Sequence, residues 1–183
     1  MEKKVASIKG TFLLRYNDTV FVGNNDEAFY LQRDFTPVTY SHKRKMYGDV
    51  LLEDSTYLVY GCCVGEWGGS VFFHHKQTGK IYSYFATCPS QVVQFGKEYV
   101  VCNNLAHLGD HMSFLAVRDP TTLYEITDEK LKNNCNWYTT IDSSKNYWRV
   151  SKKGAVRFYE AYDAMSLISF PFEDSLYSIL SFP

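Results

Sequence analysis

No stretch of the chain approaches the roughly 18 consecutive apolar residues of a helical membrane span, and the opening MEKKVASIKG carries charge with no apolar segment of signal-peptide length behind it. The expectation is a cytoplasmic protein with no membrane partner. An excess of either charge is also missing, since 19 Lys and Arg face 20 Asp and Glu. Nothing is there to neutralise a phosphate backbone, which argues against a nucleic-acid partner. Long helical periodicity is absent as well. Glu129-Lys130-Leu131-Lys132 can sustain one turn, and no helix beyond about two turns is expected anywhere. GxSxG, P-loop, dinucleotide and HExxH patterns do not occur. No catalytic residue, metal or cofactor is therefore assigned, and the chain reads as a binding protein rather than an enzyme. The five cysteines, Cys62, Cys63, Cys88, Cys102 and Cys135, are odd in number and form no CxxC. Without a secretory signal they are expected reduced and mostly buried. The sequon Asn17-Asp18-Thr19 is discounted on the same ground.

Aromatics are plentiful, with 15 Tyr and 13 Phe in 183 residues. Tyr, Phe and Val suit a half-buried pleated surface, and 45% apolar residues suffice for one folded domain. The same unit is written twice, as YLVYGCCVGEWGGSVFFHHKQTGKIYSY over residues 57–84 and YVVCNNLAHLGDHMSFLAVRDPTTLYEI over residues 99–126. Each reads as apolar strand, small or polar loop, apolar strand, polar turn, short aromatic strand. Aligned on the third strand, Val71 follows Ala28 by 43 residues, Phe114 follows Val71 by 43, and Val156 follows Phe114 by 42. A period of roughly 40–45 residues with four short strands marks a propeller blade. One such sheet has two apolar faces and is stable only when neighbours cover both. Evenly spaced strands also build sandwiches and barrels.

The pattern predicts an all-β fold, a β-propeller-like array of about four four-stranded blades plus one extra C-terminal strand, in a single domain over residues 1–183. The blades span residues 11–41, 49–85, 91–126 and 137–170, and the extra strand spans 175–181. Asn17-Asp18 and Gly79 supply turn residues that tolerate positive φ, and Pro37 suits an outer strand. The extra strand, SLYSILS, aligns with the first strand of a blade. A bare apolar edge must be covered, so it closes a four-blade ring, pairs with another copy, or marks a longer propeller. The closed ring is preferred, and the alternative is an oligomer formed through this strand.

In period and strand order, residues 11–181 resemble β-propeller repeat proteins of the broad WD-repeat and kelch kind. No Gly-His…Trp-Asp pair falls at blade spacing, and the kelch double glycine occurs once, at Gly68-Gly69. The resemblance implies an interaction platform, a lectin or, less often, an enzyme, and does not choose among them.

Strand alternation places the loops between second and third strands at the same end as the connections between blades. Residues 65–69, 107–111, 42–45 and 86–89 are thus expected on one face, where function concentrates on a rigid scaffold. The candidate binding residues are Glu66, Trp67, His107, Asp110, His111, His42 and Arg44. Trp67 between glycines would offer an indole to a partner protein or to a sugar, unless it folds back on the sheet. His42 and Arg44 belong to the one dense basic run, which suits an acidic contact. His107, His111, Asp110 and Cys88 are the residues a metal- or cysteine-dependent hydrolase would need. The leading expectation is a non-enzymatic scaffold engaging a partner protein, with a glycan-binding propeller as the alternative and the hydrolase behind both.

Overall fold

A computed structural model describes residues 49–105, 110–132, 134–140 and 154–182, together with the backbone of four strands between residues 12 and 40; of Thr139 and Thr140 only the backbone is described. The chain is all-β, and among the described residues every strand pair is antiparallel. The first sheet is a meander of β1 (Phe12–Tyr16), β2 (Thr19–Gly23), β3 (Ala28–Leu31) and β4 (Pro37–Tyr40). The second contains a meander of β5 (Asp49–Glu53), β6 (Tyr57–Cys63), β7 (Gly69–His75) and β8 (Ile81–Phe85). These eight strands match the two leading sequence units. Their turns explain why. Asp54 Oδ1 accepts from the amides of Thr56 at 2.7 Å and Tyr57 at 2.6 Å, which closes β5 onto β6. Gly79, at φ +71°, turns β7 into β8.

The third sheet has the order β9 (Pro89–Phe95), β10 (Glu98–Leu105), β11 (His111–Val117) and β13 (Ala155–Tyr162) in space, with β13 paired to β11. Here the structure departs from the expected units. The segment read as the outer strand of the third blade, β12 (Tyr124–Glu125), pairs with β8 and makes the second sheet five-stranded. The strand read as the third of a fourth blade closes the third sheet. Residues 118–154 thus separate the third and fourth strands of that sheet in sequence, and are called the insertion below. Trp137–Thr140, expected as a strand, is one helical turn, α1, within the two-turn limit. Residues 141–153 of the expected fourth blade lie outside the described residues.

The extra strand is not isolated either. It is β15 (Ser175–Ser181) and forms a hairpin with β14 (Met165–Phe172). The hairpin corresponds to the first two strands of another unit, as β9 and β10 do for the third. First strands lie side by side in chain order: β1 lies against β5, β5 against β9, and β9 against β14. No sheet closes on itself among the described residues.

Two sheets sandwich the main core. Val59, Val71 and Phe73 from the second meet Val101, Leu115 and Val117 from the third, all buried. Tyr99 on β10 reaches across, its hydroxyl donating to Asp54 Oδ2 at 2.6 Å. The outer face of the second sheet carries Tyr60, Phe72 and Ile81, and the insertion covers it with Ile126, Trp137 and Tyr138. Tyr124 stacks on Trp137 at 4.7 Å between ring centres. The need to cover this face is what draws the insertion back across the second sheet. The outer face of the third sheet, with Val100, Cys102, Met112 and Phe114, is covered in part by Ala164, Leu176 and Leu180. The hairpin is fixed there by side-chain amides. Gln91 exchanges two bonds with the backbone of Ser169, both 2.8 Å, and Asn104 two with Ser166, at 2.7 and 2.9 Å.

Candidate binding site

The connection between β6 and β7 is a 3-10 turn, Gly65–Trp67, held by its own backbone. Val64 N donates to Gly68 O at 2.8 Å, and Gly68 N donates to Gly65 O at 3.1 Å. Gly68 sits at φ +101°, and a Cβ there would collide with the Tyr138 hydroxyl, so no other residue fits without displacing α1. The same hydroxyl lies 3.3 Å from the carbonyl of Trp67 and 2.8 Å from Asn136 Oδ1, and its single proton goes to one or the other. Ala86 N donates to Gly69 O at 3.1 Å, which binds the β8–β9 connection to the loop.

Two disulfides complete the clamp and correct the expectation of reduced thiols. Cys62 is bonded to Cys135, and Cys63 to Cys88; Cys102 alone is free, and buried. Adjacent residues of a strand point to opposite faces. Cys62 is therefore stapled to the insertion on one side of β6, and Cys63 to the β8–β9 connection on the other. Sequence reasoning had the spacing but not the pairing, because the partners lie 73 and 25 residues away. Cys102 is no nucleophile, since burial pushes its thiol up to about 11.

Trp67 stands out from this clamp, 74% exposed, and does not fold back on the sheet. Glu66 beside it is exposed as well. Of the four segments expected on one face, residues 65–69 and 86–89 are joined by the Cys63–Cys88 bond, and the end of β10 meets them where Asn104 N donates to Cys88 O at 3.0 Å. His111 is engaged with β13: its Nε2 lies 2.6 Å from Glu160 Oε1, and its ring is 4.9 Å from that of Tyr162. The carbonyl of Asp110 accepts from Asp163 N at 2.5 Å. His42, Arg44 and His107 lie outside the described residues. The hydrolase alternative loses its nucleophile, because Cys88 is spent in a disulfide. Among the described residues, no three His, Cys, Asp or Glu side chains are grouped to hold a metal ion. No helix among them is long and apolar enough to cross a membrane.

A second feature escaped the sequence reading. The uncovered part of the third sheet's outer face forms a groove of about 650 Å³, lined by Phe95, Val100, Ala116, Phe158 and Leu176, with the Glu98–Arg118 ion pair (2.7 Å) at its rim. Phe158 lies in the strand expected as the third of a fourth blade, and nothing in local alternation reveals that this strand is the edge of the third sheet.

Comparison with protein-family models, curated proteins and solved structures finds no match to this chain.

Proposed function

We propose that the chain is a non-enzymatic binding module of propeller-like build that offers Trp67 to a partner protein. The file of first strands supports the build: β1, β5, β9 and β14 succeed one another as the inner strands of neighbouring blades do. The observation that carries the binding reading is the contrast at residue 67. A tryptophan 74% exposed sits on a loop with little freedom left to lose, between two disulfides, two special glycines and the Tyr138 contact. Exposed aromatics on pre-ordered backbone are the anchors of interfaces, because little entropy is spent in ordering them. An indole contributes 150–250 Å² of contact, on the order of 4 kcal/mol of gross burial.

The two disulfides favour an oxidising compartment over the cytoplasmic one expected from the sequence. A partner screen is accordingly best made in an oxidising buffer. The test compares proteins retained by wild type and by Trp67→Ala at equal loading, with a glycan array run beside it. Loss of a retained protein by more than about 30-fold, with thermal unfolding unchanged, is the expected outcome. Array hits that vanish with Trp67→Ala would move the reading to a lectin. Identical retention by both proteins would end it.

A further inference from the structure

Edge strands normally carry a device against pairing with another chain: a charge, a proline or shortness. Here β13 carries Arg157 and Glu160, β5 has Asp49 and Glu53 at its ends, β4 and β9 begin with proline, and β12 has two residues. β15 has none of these. Its seven residues, Ser-Leu-Tyr-Ser-Ile-Leu-Ser, hold no charge, no proline and no glycine, and its sole ladder neighbour among the described residues is β14.

The order of those residues is also symmetric about Ser178. Run against a second copy of itself in antiparallel register, with Ser178 opposite Ser178, the strand sets Tyr177 beside the partner's Ile179, Leu176 beside the partner's Leu180, and Ser175 beside the partner's Ser181. The faces agree as well. Leu176 and Leu180 pack inward on the third sheet, while Tyr177 and Ile179 point outward, 48% and 53% exposed. A slip of one residue would set outward side chains against inward ones.

We infer that β15 is a homodimerisation edge, joining two hairpins across a two-fold axis in the order β14-β15-β15-β14. The resulting sheet has four strands, the size of each described meander. The apolar surface calls for such a partner. β14 and β15 leave Leu167, Ile168, Phe170, Phe172, Tyr177 and Ile179 exposed, at 40–65%, so apolar side chains flank the open edge. The contact is isologous, so it closes at two copies. It does not depend on the role of Trp67.

The register makes the test specific. Residues directly opposite in an antiparallel pair have Cα atoms roughly 4.5–5.5 Å apart, within disulfide reach. Ser178→Cys should therefore give a covalent dimer under mild oxidation. Ser175→Cys alone should give at least tenfold less, and Ser175→Cys mixed with Ser181→Cys should restore it. Light scattering of the unmodified chain should report a dimer at tens of micromolar. Tyr177→Lys/Ile179→Lys, outward positions away from the main core, where Tyr177 meets Phe170 and Phe172 of its own hairpin, should report a monomer with an unchanged circular dichroism spectrum. Three outcomes overturn the inference: a monomeric wild type at 200 micromolar, equal crosslinking of Ser175→Cys and Ser178→Cys alone, or a dimer that survives the double lysine variant.

Discussion

Replacing Cys63 and Cys88 together by serine isolates the bond that ties the Trp67 loop to the β8–β9 connection. Its partners are 25 residues apart, and the loop-closure entropy lost by the unfolded chain at that spacing stabilises the fold by about 3.5 kcal/mol. Some of this is offset in the native state. Cys88 sits at φ 50°, in the left-handed region, which costs a non-glycine residue about 1 kcal/mol and can relax once the bond is gone. The net loss expected is about 2.5 kcal/mol, or a fall of about 1 M in the urea midpoint. Because Cys62–Cys135 and the Tyr138 contact remain, the second sheet should keep its cover and the far-ultraviolet spectrum should not change. What changes is the loop. Acrylamide quenching of Trp67 should become more efficient, while Trp137, 1% exposed, stays protected. The reasoning fails if the urea midpoint does not move. It also fails if iodoacetamide labels Cys63 in the native, unreduced protein, for then the bond is not there to be lost.

Two further outcomes follow from the core. Burial holds the Tyr60 hydroxyl up at about 12, against an ordinary 10.0; the folded state therefore keeps a proton that the unfolded state releases, and this stability is full below pH 10 and lost as pH rises toward 12. The loss should reach roughly 2–3 kcal/mol in urea titrations at successive pH values, and Tyr60→Phe should remove that part of the slope; a variant as alkali-sensitive as wild type would refute it. Gly61 on β6 faces Pro89 of the third sheet closely, and an added Cβ would lie 2.6 Å from Leu51 Cδ1 and 2.7 Å from Pro89 Cγ. Gly61→Val should destabilise by about 2–3 kcal/mol in thermal unfolding, and an unchanged transition would mean that the sheets are not in contact there.

Sequence by itself determined the strands and hairpins from β1 to β11. In β5 to β8 and in β9 to β11, alternation assigns each side chain a face, and Asp54, Gly79 and Gly96 close turns between residues only a few positions apart. Such pairings depend on local backbone preferences, which are written where they act. The loop at Gly65–Trp67 was legible for the same reason, but whether Trp67 stands out or folds back on the sheet was not. Tertiary structure decided the rest. β13 could serve as the third strand of a new sheet or the fourth of an old one, and its alternation is the same in both. The choice fell to the free edge of β11. Trp137 and Tyr138 looked like strand residues because they are aromatic, yet the bare face of Tyr60, Phe72 and Ile81 needed a cover, and Ile126, Trp137 and Tyr138 supply it. Cys62 and Cys63 found Cys135 and Cys88 by the same route. Contacts between segments far apart in the chain are fixed by which edges and faces remain unfilled once the hairpins have formed, and no window of sequence contains that information.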